Sequence, residues 1–315
     1  MAYTPGSHAG PFAIGMFADG RHEFAGLVAG ARVREVAAST GELLRDWDSA
    51  FSELNDARPV PEDAWRPLEG LRVLPPVRPA QILQSGANYR QHVIDLVVSE
   101  GDSSREAAEQ MMTTRALSGE PYLFSGLPSA ITGPGDEVVL PAEGHQHDWE
   151  LEIAVVIGKA ARRVGEETAM DHVAGYTICN DITTRDRLYR ADLAKIGTDW
   201  VRAKNSPTFL PTGPYLVPAA HIKDWRQLRI TLAHNGVVRQ DELAKDMIFG
   251  IPALVAYASR LTRLEPGDLL LTGSPAGNGA HYGVYLAAGD VMTAEITGLG
   301  RQRNTCVSER LTTNA

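Results

Sequence analysis

In Asp148-Trp149-Glu150-Leu151-Glu152-Ile153-Ala154-Val155-Val156-Ile157-Gly158, two carboxylates spaced two residues apart lead into a strongly apolar run. On an extended chain, residues i and i+2 point to the same side. If Ala154 and Val156 carry that side inward, Glu150 and Glu152 enter an apolar setting in which unpaired charge is costly, and a bound divalent cation removes that cost. Hard oxygen ligands suit magnesium, manganese or calcium. The alternative is an edge strand with both glutamates on its solvated face. Asp181 follows the apolar, β-branched run Tyr176-Thr177-Ile178-Cys179-Asn180. It therefore stands at a strand end, as a further ligand or as a turn residue.

Other patterns are less complete. His145-Gln146-His147 followed by Glu150 or Glu152 approaches the His-x-His plus Glu pattern of cupin-like redox-metal proteins, but Val139 stands where a glycine belongs and His281 falls far downstream. Gly273-Ser274-Pro275-Ala276-Gly277-Asn278-Gly279 does not complete a dinucleotide fingerprint and suits close backbone approach to a ligand. No Gly-x-Ser-x-Gly elbow occurs.

Strands must position these groups. From residue 133 onward, β-type runs cover 137–140, 151–157, 215–217, 228–232, 268–271 and 291–296, and one clear helix, 251–261, opens at Pro252 and ends before Glu265-Pro266-Gly267-Asp268. Strands outnumber helices without β-α-β alternation, which favours an α+β or mainly β architecture. Upstream, residues 10–38 read as short strands. Ser39 and Glu42 form a capping box for a helix that presents Leu43, Leu44, Trp47, Phe51 and Leu54 on one face. Pro59, Pro61, Pro67, Pro75, Pro76 and Pro79 then break the pattern, placing a boundary between a small domain, 1–78, and a larger one, 79–315. Two helical stretches, 90–100 with His92 and Asp95 three apart and 103–117, read as a mobile lid or a plain surface hairpin.

Composition excludes several classes. A formal net charge of −9 with no Lys/Arg run disfavours nucleic acid as a partner. No apolar run approaches the ~20 residues of a membrane-spanning helix. The first fifteen residues carry no Lys or Arg and do not look like a secretory signal, so a cytoplasmic location is expected. Cys179 and Cys306, far apart, are expected to pack as small buried hydrophobes, which leaves metal binding to carboxylates and histidines.

Taken in order, these segments resemble the fumarylacetoacetate hydrolase family. The likeness spans roughly 80–306. It is carried by Asn88-Tyr89-x-x-His92, Pro128-Ser129, Gly133-Pro134-Gly135-Asp136, Asp148-Trp149-Glu150-x-Glu152, Val173-Ala174-Gly175-Tyr176 and Asn180-Asp181 through Arg185-Asp186. It continues through Lys204, Pro211-Thr212-Gly213-Pro214, Asn235-Gly236, Asp246-Met247-Ile248-Phe249, Leu264-Glu265-Pro266-Gly267-Asp268 and Thr272-Gly273-Ser274-Pro275. The resemblance implies an α+β fold in which a mixed β-roll catalytic domain, usually dimeric, follows a small β-rich N-terminal domain.

It also implies chemistry. Glu150, Glu152 and Asp181 take the place of the residues that hold magnesium, manganese or calcium. Lys204 matches a lysine near the metal, Thr272, Gly273 and Arg185 match substrate-contacting positions, and His92 matches a histidine that activates water. Asp95 stands where many relatives have the glutamate paired with that histidine. The implied activity is hydrolysis of a C–C bond in an acylpyruvate or other 1,3-dicarbonyl compound through a metal-stabilised enolate, in aromatic catabolism. Decarboxylation, isomerisation or dehydration of a 2-oxo acid is the alternative. Gly126 and Leu188 replace a lysine and a glutamine of the family, which points to a larger or less polar substrate group. Arg187, Arg190 and Arg202 read as substitute donors or as solvated surface.

Overall fold

Every residue of the strand Leu151–Ile157 is buried, and the strand runs between Val173–Asn180 and Leu269–Leu271, antiparallel to both. A near-continuous Val/Ile/Ala run is what a strand covered on both faces requires. This overturns the edge-strand alternative: the glutamates that open the run lead into the middle of a sheet. The computed structural model describes residues 3, 5–20, 22–56, 64–99, 101 and 103–310. Pro59, Pro61 and Glu100 lie outside the described residues.

The 11-stranded sheet runs, edge to edge, through Arg66–Pro67, Arg32–Val36, Glu23–Gly30, His8–Ala18, Tyr215–Pro218, Val173–Asn180, Leu151–Ile157, Leu269–Leu271, Ile82–Gly86 and Tyr122–Gly126, with Arg72–Leu74 paired to His8–Ala18. Ile14 pairs with Leu216 and Gly15 with Tyr215, so the N-terminal strands continue the same sheet. A 5-stranded sheet orders Val237–Leu243, Arg229–His234, Val291–Ile296, Gly300–Ser308 and Val138–Leu140. The architecture is the expected α+β one, sheet-dominated and β-rich at its N-terminal end.

Local signals translate closely. The runs 151–157 and 291–296 are strands over those spans, and Ile251–Leu261 is a helix with Pro252 in its first turn. Ser39 and Glu42 close the capping box, Glu42 N donating to Ser39 Oγ across 3.3 Å and Ser39 N to Glu42 Oε2 across 2.8 Å. The helix beyond is two, Thr40–Arg45 and Trp47–Asp56, because Asp46 leaves the helical conformation at φ −138°, ψ 74°. Both cysteines are buried and free.

Candidate metal centre and its cavity

Glu150 and Asp181 are fixed where two antiparallel strands meet. Asp181 N donates to Glu150 O across 2.8 Å, and Glu150 N to Asn180 Oδ1 across 2.9 Å. Glu152 enters the sheet opposite Cys179. One oxygen from each of Glu150, Glu152 and Asp181 lies within 4.8 Å of the others, and all three residues are buried. Asp181 Oδ1 has no hydrogen-bond partner despite its burial. A buried carboxylate oxygen without a donor is costly. Three converging hard-oxygen donors and one unused lone-pair site fit a divalent cation such as magnesium, manganese or calcium.

Two cations from the chain reach the same carboxylates. Lys204 ends the helix Trp200–Lys204, which Asp199 caps by accepting from Arg202 N at 3.2 Å. Its Nζ donates to Asp181 Oδ2 across 2.6 Å and to Glu150 Oε2 across 3.0 Å. Arg185 donates to Asp148 Oδ2 from Nε across 2.9 Å and to Glu150 Oε1 from its terminal nitrogen. Asp148 also accepts from the backbone N–H groups of Gly279 and Ala280, the latter at 3.0 Å.

The field splits the three acids. Burial alone would raise the Glu150 carboxyl, but Lys204 and Arg185 outweigh it and hold it at about 2. Burial, then the neighbouring Asp181 charge, pushes Glu152 well up. Burial raises Asp181 to about 6 against the pull of Lys204. Lys204 is held protonated because Asp181 and Glu150 outweigh its burial.

Beside the carboxylates opens a cavity of about 430 Å³ that Glu150, Arg185 and Lys204 help to line. The helix Arg90–Ser99 supplies His92 and Asp95 to its wall, and Arg105–Ser118 packs beside that helix. Burial lowers the His92 imidazole to about 4, although Glu150 pulls the other way, so at neutral pH the ring is uncharged and able to accept a proton. Asp95 Oδ1 accepts from Gln91 Nε2 at 2.6 Å and from Arg105 at 2.9 Å. Among the described residues no hydrogen bond joins Asp95 to His92.

Thr272 and Gly273 are bonded to groups of the protein itself. Thr272 Oγ1 donates to Ile153 O across 3.0 Å, and Gly273 N donates to Glu152 Oε2 across 2.6 Å. Gly273 has φ +90°, a conformation that favours glycine, and a Cβ there would lie 2.9 Å from Asn88 Cβ. The glycine-rich loop thus brings its backbone to the protein's own carboxylates, while Ser274, Ala276 and Gly277 face the cavity. Leu188 lines the cavity; Gly126 pairs with Ile82 in the sheet, and Arg187, Arg190 and Arg202 do not line the cavity. Arg190 is bonded to Asp192. His145 is exposed and His147 Nδ1 is 3.0 Å from Thr184 Oγ1, so the histidine pair does not join the carboxylate cluster. Sequence reading missed two features. Asp148, the acid that anchors Arg185, stands beside Glu150 in the same motif without having been assigned that role, and the aromatic wall of Tyr122, Phe124 and Trp200 had no local signal.

Residues 81–307 match the profile of the family described as "Fumarylacetoacetate (FAA) hydrolase C-terminal". A 2,4-didehydro-3-deoxy-L-rhamnonate hydrolase of Sphingomonas sp. is 37% identical over 71% of this chain and 72% of its own. A mitochondrial oxaloacetate tautomerase of Xenopus laevis is 37% identical over 74% of this chain and 67% of its own. Among solved structures, maleylpyruvate hydrolase from Sphingobium sp., in complex with manganese(II) and pyruvate, superposes with a TM-score of 0.73 at 27% identity, covering 95% of this chain and 100% of that one. The cupin alternative falls with these matches.

Proposed function

The chain belongs to the fumarylacetoacetate hydrolase family, and on that premise we propose that it is a divalent-metal-dependent enzyme that hydrolyses the C–C bond between the two carbonyl-bearing parts of an acylpyruvate or related 1,3-dicarbonyl compound. The observation that carries this reading is the convergence of Glu150, Glu152 and Asp181 within 4.8 Å at the edge of a cavity that also holds Lys204 and an uncharged His92.

In this reading Glu150, Glu152 and Asp181 hold the cation, which supplies Lewis acidity toward the 2-oxo acid end of the substrate. His92 accepts a proton from water as the hydroxyl oxygen bonds to the acyl carbon. The C–C bond breaks with its electron pair passing to the pyruvate fragment, and that fragment takes up a proton at carbon, so one acyl acid and one pyruvate leave. Lys204 offers its ammonium to the negative charge that develops. Arg185, paired to Asp148 and Glu150, orients Glu150 and also reaches the cavity wall, where it can meet substrate. The pairing of two copies implied by the resemblance is part of this proposal, and sedimentation of the purified protein tests it.

The test is turnover of a panel of acylpyruvates and oxaloacetate with manganese or magnesium, with Glu152→Gln alongside. Metal-dependent pyruvate release that Glu152→Gln abolishes supports the reading. Equal activity of that variant after exhaustive chelation overturns it. A second reading, enol–keto tautomerisation of oxaloacetate, is favoured by the absence of a bond between His92 and Asp95, since moving a proton between oxygen and carbon needs no activated water. The decay of enol absorbance without release of a second product identifies it.

A further inference from the structure

Next to the carboxylates stands a wall that the chemistry above does not use. Phe124 and Trp200 stack with centroids 4.4 Å apart and planes at 13°, and Trp200 Nε1 donates to Tyr122 Oη across 2.7 Å. Lys204 Nζ lies 5.7 Å from the Phe124 ring centroid and 5.8 Å from that of Trp200. The wall therefore begins where the metal-site lysine ends. All three rings line the cavity and remain partly exposed, and Leu188 and Leu96 add aliphatic surface. The indole N–H is already satisfied by Tyr122, so the pair presents π faces without a demand for a polar partner.

The lysine and arginine of the cavity sit at its metal end. Of its described lining residues, Arg185 and Lys204 are the only arginine and lysine, and both are bonded to Asp148, Glu150 or Asp181. With a divalent cation bound, the four acids Asp148, Glu150, Glu152 and Asp181 are balanced by that ion, Lys204 and Arg185. A second carboxylate directed at this wall would meet aromatic rings, with the acid Asp95 on the same cavity lining and with His92 and His281 as its remaining basic side chains.

We infer that Tyr122, Phe124 and Trp200 form a subsite that selects an uncharged, planar acyl group, so that the substrate is an aroyl- or other apolar acylpyruvate rather than a dicarboxylate. This rests on the reading above and specifies its substrate class. Covering such a ring against two stacked aromatics, compared with placing a carboxylate there, corresponds to a discrimination of about 10–100-fold.

The test uses 2-oxo acids that lack the scissile dicarbonyl and so bind without reacting. Affinities of the manganese-loaded full chain for pyruvate, 2-oxoadipate and 4-phenyl-2-oxobutanoate are measured by titration calorimetry, together with quenching of Trp200 fluorescence judged against Trp200→Phe. The phenyl compound is expected to bind about 10–100-fold more tightly than 2-oxoadipate, Trp200→Ala to abolish that ratio, and Trp200→Phe to keep most of it. Equal or tighter binding of 2-oxoadipate by the unaltered chain overturns the inference whatever the variants do. So does an unchanged ratio in a folded Trp200→Ala protein. If pyruvate itself fails to bind the manganese-loaded chain, the metal-site reading fails and the inference falls with it; if pyruvate binds and the phenyl group adds nothing, the inference alone falls.

Discussion

Lys204 Nζ lies 2.6 Å from Asp181 Oδ2, a buried ammonium in contact with a buried carboxylate that also belongs to the candidate metal cluster. The lysine thus serves as counter-ion to the same carboxylates a divalent cation would use, and the two positive charges repel at short range. Lys204→Met is expected to raise manganese affinity at least about tenfold at neutral pH and to lower the melting temperature of the metal-free protein, whose carboxylates lose their partner. Turnover should fall by roughly 10²–10³-fold. Calorimetric titration and thermal melts check this; weaker manganese binding by the variant would show that Lys204 supports the ion rather than competing with it.

Gly273 ties backbone conformation to the cluster. Gly273→Ala forces a side chain at φ +90° and against Asn88 Cβ, displacing the N–H that holds Glu152. The expected cost is about 1–3 kcal/mol of stability and about 10–100-fold in manganese affinity. Gly289→Ala, at φ +94° with open space around its Cβ, is the control: it carries backbone strain and leaves manganese affinity alone. Denaturant unfolding and calorimetry on both variants separate strain from ligand geometry.

Burial holds His92 at about 4, so its basic form persists above that pH and disappears as pH falls through it. At saturating manganese, whose charge offsets the pull of Glu150, the acid limb of kcat/KM is expected at or below about pH 4 rather than near 6.5. His92→Ala should lose hydrolysis by about 10²–10⁴-fold and spare any decarboxylation of oxaloacetate. An acid limb at 6.5, or hydrolysis at the parent rate, would place the base elsewhere.

Metal binding should itself depend on pH. Asp181, raised by burial to about 6, and Glu152, raised further, carry protons that a cation must displace. Only the deprotonated oxygens ligate, so manganese affinity is expected to fall as pH drops through about 6, approaching tenfold per pH unit for each proton released. Titrations in two buffers of different ionisation enthalpy count those protons. An affinity constant from pH 5 to 8 would contradict the raised carboxyls.

Much of the framework was legible locally. The apolar run of Leu151–Ile157, interrupted only by Glu152, marks a strand, Pro252 marks the start of a helix, and the reciprocal Ser39–Glu42 pair marks another, because periodicity and capping depend on neighbours a few residues away. Strand alternation and a strand end made Glu150, Glu152 and Asp181 candidates, and the family resemblance joined them into one set. Tertiary structure decided the rest. Gly273 bonds Glu152 across 121 positions of chain, Asp95 is held by Arg105 instead of His92, Arg185 is anchored by Asp148, and Phe124 stacks on Trp200. Alternation tells a residue which face it occupies. What waits on that face is set by the order in which the sheet brings distant strands side by side, as when Ile82–Gly86 and Leu269–Leu271 become neighbours, and no local pattern encodes that order.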